Sequence, residues 1–368
     1  MQKYKKDFEE SNFLAIFAPN LRNNDNIKTK VLLIYTGGTI GMSRSKLTGA
    51  LEPFDFEHLL KSVPELTQFD IDIDTYQFTP PIDSSDMNPV LWQSLAHIIA
   101  EHYNSFDGFV VLHGTDTMAY TASALSYMFE NLTKPVILTG SQLPIGQLRT
   151  DGKENLITSI EIASARNSEG HAMVPEVCIY FSGCLLRGNR TTKQSAENFR
   201  AFESFNYRHL ANAGINIKYN MENILQPQWD CPMIPHYELD ANVIVFTVFP
   251  GIPEGIVRHV LESPTLRSIV MRTYGSGNAP QLAWLQKLLR QATDNGKIII
   301  NISQCMAGTV EMGRYGAGYH LKMSGVISGY DSTVESAVTK LMHLQGRYSD
   351  SETIRQFMQK SIRGEITI

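Results

Sequence analysis

Phe109-Val-Val-Leu-His-Gly-Thr-Asp-Thr-Met-Ala-Tyr-Thr-Ala-Ser-Ala-Leu-Ser-Tyr-Met-Phe129, followed by the apolar run 136–138, decides the fold. Residues 109–112 are apolar without interruption, the pattern of a strand buried on both faces of a parallel sheet. Met118, Leu125, Met128 and Phe129 then fall on one helical face, and a second short apolar run follows at 136–138. Strand, loop, helix and strand make a βαβ unit. The alternation extends outward to strands at 31–35 and 177–181. Asn-rich sequence holding Pro227, Pro232 and Pro235 interrupts it at 212–240, and none of these prolines suits a helix interior or a central strand. A second series follows, with strands at 243–248, 268–272 and 297–302 and helices near 255–262 and 280–294. The expectation is therefore an α/β protein with two α/β domains and mainly parallel sheets. A polar extension (1–29) precedes a larger N-terminal domain (30–211), a linker (212–240) and a smaller C-terminal domain (241–368).

Composition narrows the function classes. The chain has 368 residues, 43% hydrophobic and 19% charged, which suits a globular protein with packed cores. Thirty-two Lys and Arg stand against 37 Asp and Glu, a net charge of −5, so no basic field is present to collect nucleic acid or anionic lipid. Cys178, Cys184, Cys231 and Cys305 form no C-x-x-C pair and read as free thiols. No apolar run approaches the roughly 18 residues of a membrane span. These features point to the cytoplasm, with neither a nucleic-acid nor a membrane partner. His97 and His102 lack H-E-x-x-H spacing, and no metal is assigned.

In open parallel sheets, ligands bind beyond the carboxyl ends of the strands, so the loops there carry the argument. Thr36-Gly-Gly-Thr39-Ile-Gly41 lets the backbone turn sharply and presents Thr39 as a candidate nucleophile; a plain turn or a phosphate loop reads equally from it alone. His113-Gly-Thr-Asp-Thr117 opens a helix. Asp116 or Thr117 would cap it, or its free amides would hold an oxyanion while Asp116 holds an ammonium and Thr115 offers a second hydroxyl. Asp83-Ser84-Ser85-Asp86-Met-Asn-Pro89 offers two more hydroxyls before a helix start. Arg187-Gly-Asn-Arg-Thr-Thr-Lys193 is either a solvated loop or the source of a partly buried amine.

Together, Thr36-Gly-Gly-Thr39-Ile-Gly, His113-Gly-Thr-Asp-Thr-Met118 and Arg187-Gly-Asn-Arg-Thr-Thr-Lys193 resemble the bacterial L-asparaginases, specifically the cytoplasmic type I branch, from about residue 30 onward. The resemblance implies hydrolysis of L-asparagine to L-aspartate and ammonia without a metal or organic cofactor. It makes Thr39 the nucleophile and groups Thr115, Asp116 and Lys193 with it. Ser84, Ser85 and Gly114 become substrate-binding residues, the serines for the α-carboxylate, and Asp116 holds the α-ammonium. Family members carry a tyrosine in the loop after the first motif, but this chain has none between Thr39 and Tyr76. Tyr315 is the candidate replacement, and residues 42–53 are the expected lid. The resemblance also implies dimers or tetramers in which Asn278 completes a neighbour's site, and a regulatory asparagine site near Thr192, Arg272 and Cys305. Glutaminase action, the asparaginase-like subunit of a tRNA-dependent amidotransferase and a non-catalytic amino-acid sensor are the rivals.

Overall fold

The computed structural model describes residues 28–44, 51–53, 63–313 and 316–368. The first sheet contains β1 (Thr29–Tyr35), β2 (Ile71–Gln77), β3 (Gly108–Leu112), β4 (Val136–Thr139), β5 (Val177–Phe181), β6 (Cys184–Arg187), β7 (Ala211–Ala213) and β8 (Ile217–Tyr219). Their order across the sheet is β8-β7-β6-β5-β4-β3-β1-β2. The five strands from β2 to β5 in that order are mutually parallel, and β6, β7 and β8 add antiparallel. Side chains alternate between two cores. Leu32, Ile34, Phe109 and Val111 face one that includes Trp92, Leu95, Leu125 and Met128. Val31, Leu33, Val110 and Leu112 face the other, with Leu156 and Ile160. The helices supplying those residues are α1 (Pro89–His102), α2 (Met118–Met128) and α3 (Gly152–Ser164). Burial on both faces explains the unbroken apolar runs of the central strands.

The second sheet runs β9 (Val243–Thr247), β10 (Ser268–Thr273), β11 (Ile298–Ser303) and β12 (Ile327–Ser328) in sequence order, all parallel. The helices α4 (Glu254–Glu262) and α5 (Ala283–Asp294) cover one face. The other face packs on α7 (Val334–Arg347) and α8 (Ser351–Met358), and α6 (Gly316–Met323) links β11 to β12. The two halves meet where α2 lies along α7, with Tyr127 Oη and Ser336 Oγ 2.5 Å apart in a buried hydrogen bond.

The stretch 212–240 is not all connection. Most of β7 and all of β8 lie within it as edge strands of the first sheet, and Ile234–Pro235 pairs with Phe129–Glu130. Polar residues suit these strands because they are short strands at the edge of the sheet whose middle residues, Asn212 and Lys218, are exposed.

Candidate active site

The parallel strands run in the order β2-β1-β3-β4-β5, so the chain leaves neighbours β1 and β3 toward opposite edges of the sheet. That divergence opens a crevice at their carboxyl ends. Thr36 ties the two ends together, its backbone amide donating to Leu112 O at 3.0 Å and its hydroxyl at 2.9 Å. Gly38 then adopts φ 95°, and Thr39 begins a single 3-10 turn with its side chain half-buried. A side chain on Gly38 would place its Cβ 2.5 Å from Gly114 N. One on Gly114 would come 2.7 Å from Ser84 Cβ. Glycine is required at both positions because the loops carrying Thr39 and Thr115 touch through their backbones, and the Ser84 side chain packs directly on Gly114.

Helix α2 starts at the loop end, but neither expected cap forms. Thr117 occupies the N-cap position without a capping bond, and its hydroxyl instead donates to Ser84 O at 2.6 Å. The helix gives up one cap to tie the serine loop to its own first turn. Asp83 caps the 84–86 turn, accepting from Ser85 N and Ser85 Oγ at 2.9 Å each, and these two bonds hold its carboxyl below the usual range. Ser84 is buried at Gly114, while Ser85 is exposed. Asn88 caps α1, accepting from Val90 N at 3.0 Å ahead of Pro89 at the first helical position.

Lys193 reaches this crevice from beyond β6. Its Nζ lies 2.9 Å from Thr115 Oγ1 and 2.7 Å from Asp116 Oδ1. The lysine side chain is 18% exposed and the aspartate 64%, so the amine is screened from solvent while the carboxylate opens to it. Antiparallel pairing of Thr192–Lys193 with Phe202–Glu203 fixes the lysine backbone. Hydroxyl, amine and carboxylate thus form one hydrogen-bonded set, suited to moving a proton between a substrate and an alcohol.

His113, which sequence reasoning left without a role, underlies the second loop. Trp92 Nε1 donates to Thr121 Oγ1 at 3.0 Å, and Thr121 Oγ1 lies 2.9 Å from His113 Nε2. Since Gly114 O accepts only, the proton sits on His113 Nδ1, 2.6 Å away, and Thr121 donates to Nε2. Burial pushes this imidazole down to about 4, so it stays neutral. A histidine closing an apolar strand was the available signal.

The remaining expected residues lie elsewhere. Asn278 closes a tight turn after β10, exchanging backbone bonds with Tyr274 at 2.9 Å, and no hydrogen bond among the described residues joins it to the first-sheet loops. Thr192 Oγ1 donates to Glu335 Oε1 at 2.6 Å. Glu335 is held above the ordinary carboxyl range by burial, and Arg272 opposes that rise. Glu335 Oε2 and Arg272 Nε, both buried, have no hydrogen-bond partner among the described residues. Cys305 is exposed just past β11, its amide donating to Ser303 Oγ at 2.9 Å. Tyr315, the lid tip at 45–50 and most of the extension lie outside the described residues. Among the described residues there is no cluster of three or more potential metal ligands, and no helix is long and apolar enough to cross a membrane.

Residues 30–225 match the family described as "Asparaginase, N-terminal", and residues 242–358 match the "Glutaminase/Asparaginase C-terminal domain". The chain is 44% identical over 342 residues to L-asparaginase 1 of Escherichia coli (strain K12), covering 92% of this chain and 98% of that protein. The structure of L-asparaginase I from Vibrio cholerae O1 biovar eltor superposes with a TM-score of 0.84 at 40% identity, over 93% of this chain and all (100%) of the other. The thermostable L-asparaginase from Thermococcus kodakarensis gives 0.83 at 31% identity, over 92% and 100% of the two chains. The chain belongs to the asparaginase/glutaminase family.

Proposed function

We propose that the protein hydrolyses the side-chain amide of L-asparagine, with water, to L-aspartate and ammonia. The observation that carries this reading is the Lys193 amine held between Thr115 and Asp116 in the crevice where the Thr39 and Thr115 loops touch. A threonine hydroxyl is a poor nucleophile near neutral pH and needs a proton acceptor, an oxyanion site and close positioning. Thr39 Oγ attacks the amide carbon, its proton passes to the leaving nitrogen, and the C–N bond breaks to release ammonia. Water then cleaves the resulting ester, with Thr115 and Lys193 handling its proton. Loop amides stabilise the tetrahedral oxyanion. Ser84, Ser85 and Gly114 hold the α-carboxylate end, and Asp116 grips the α-ammonium.

The protein works in the cytoplasm as a dimer or tetramer in which Asn278 completes a neighbour's crevice. Tyr315 takes the part of the lid tyrosine, and Thr192, Arg272 and Cys305 belong to a regulatory site. The decisive test is release of ammonia and aspartate from L-asparagine, with L-glutamine alongside, by wild type and Thr39→Ala. Turnover of asparagine that falls by about 10³-fold or more in the variant is expected from losing a nucleophile. Asparagine binding without turnover in wild type would replace the enzyme with a sensor.

A further inference from the structure

The seven residues 187–193 carry Lys193 into the crevice, and three of their side chains, those of Arg187, Asn189 and Arg190, grip one segment near the end of the chain. Arg187 Nη1 donates to Gly364 O at 3.2 Å, Asn189 Nδ2 to Arg363 O at 3.0 Å and Arg190 Nε to Gly364 O at 2.7 Å. Arg190 Nη2 donates to Thr367 Oγ1 at 3.0 Å, while Arg190 Nη1 lies 2.8 Å from Asp331 Oδ2. Asp331 Oδ1 in turn accepts from Thr367 N at 2.8 Å. The grip is buried: Arg187, Asn189 and Arg190 are 2%, 1% and 3% exposed. Gly364 adopts φ 73°, and a Cβ there would strike the Arg187 guanidinium, so only glycine turns this carbonyl toward both arginines. On its other flank, the 188–190 turn is wedged against α2, since a Cβ on Gly188 would lie 3.0 Å from Ala122 Cβ.

A buried ion pair such as Arg190–Asp331 adds little net stability over apolar packing; the directional contacts are the N–H bonds of Arg187, Asn189 and Arg190 to the Arg363 and Gly364 carbonyls and to Thr367 Oγ1. What they supply here is a fixed position for a short, tightly turned segment three residues from the amine. We infer that Asp331 and residues 363–367 form a positioning clamp, acting through Arg190, that sets where the Lys193 amine meets Thr115 and Asp116. Residues following the second sheet thereby set the geometry of the crevice of the first. The inference rests on the proposed role of Lys193.

The test is a kinetic cycle on the full chain with asparagine as substrate. Arg190→Met removes the Arg190 contacts to Gly364, Thr367 and Asp331 and is expected to lower kcat about 30-fold with KM changed by less than about threefold, the signature of a misplaced group rather than lost binding. Arg190→Lys keeps the charge opposite Asp331 and is expected to recover part of the loss. In a Lys193→Met background, adding Arg190→Met is expected to slow turnover by less than about twofold, because its effect passes through the missing amine. Thr367→Val removes a single bond and serves if Arg190→Met does not fold; its expected loss is about threefold, again absent without Lys193. Losses that multiply in the double variant, or a folded Arg190→Met with wild-type kcat, would overturn the clamp while leaving the enzyme reading intact. A Lys193→Met protein as fast as wild type would instead remove Lys193 from the proposed mechanism, and the clamp with it.

Discussion

The second sheet is parallel and the first mainly so, and both carry helices on both faces, yet the parallel strands of the first run in the order β2-β1-β3-β4-β5 and the second runs β9-β10-β11-β12. In the first, β1 and β3 are neighbours whose outgoing chains diverge, and the three touching loops line the gap. In the second, each strand hands on to the next in sequence, with no such divergence between neighbours. Glycines mark the difference. Gly38 and Gly114 are backbone contacts between loops, whereas a side chain on Gly251, after β9, would meet nothing within 4 Å. Strand-end loops are common to both sheets, and the reversal of strand order in the first is what opens a crevice between them.

That contrast can be broken by substitution. Among changes away from the reactive alcohols, Gly114→Ala should have the largest effect, at least about 100-fold on kcat/KM, because the Cβ forces apart loops whose contact places Thr115 and Ser84. Gly251→Ala is its control. Thr121→Val should come next, cutting the bond donated to His113 Nε2; about tenfold is expected on kcat, with roughly 1–3 kcal/mol off the unfolding free energy in denaturant titrations.

Acid stability compares the two halves directly. Burial holds His113 near 4, and burial beside Arg347 and His236 pushes His343 on α7 down to about 3; both titrate near 6.5 when unfolded. Each is neutral in the folded chain, so its contribution is complete above pH 6.5 and is lost as pH falls toward the folded value. His113 alone accounts for roughly 3 kcal/mol between pH 6.5 and 4. His343→Gln should therefore flatten the slope of unfolding free energy over that range while leaving kcat at pH 8 within about twofold of wild type. An unchanged slope would show that His343 is not held neutral. Gly251→Ala closes the series: its backbone has φ 85°, so about 1 kcal/mol of stability is at risk and no activity. A loss of turnover there would show that the loop after β9 also serves the crevice.

The same physics governs what could be read from sequence. The strands β1, β3, β4 and β5 are buried on both faces and spell themselves as apolar runs. Strand β2 reads Ile-Asp-Ile-Asp-Thr-Tyr-Gln because it is an edge with largely exposed residues, and its alternation was overlooked. The Thr39 and Thr115 loops were legible because each directly follows a buried apolar strand, while Ser84, Ser85 and Lys193 stood out only as hydroxyls before a helix start and as a cluster of cations. Their mutual contact was not, since nothing local says that Gly38 meets Gly114 or that Thr117 turns from its helix cap to Ser84. The grip of Arg187 and Arg190 on Gly364 spans more than 170 residues, beyond any periodicity.

The central claim is that alcohols from two separate crossover units act as one reactive unit across the β1/β3 crevice. Its most direct test is kcat for asparagine in Thr39→Ala, Thr115→Val and the variant carrying both. The account predicts that each single change lowers kcat by about 10³-fold or more and that the pair together is no more than a few-fold slower than the slower single. A pair whose losses multiply, or either single variant turning over at the wild-type rate, would contradict it.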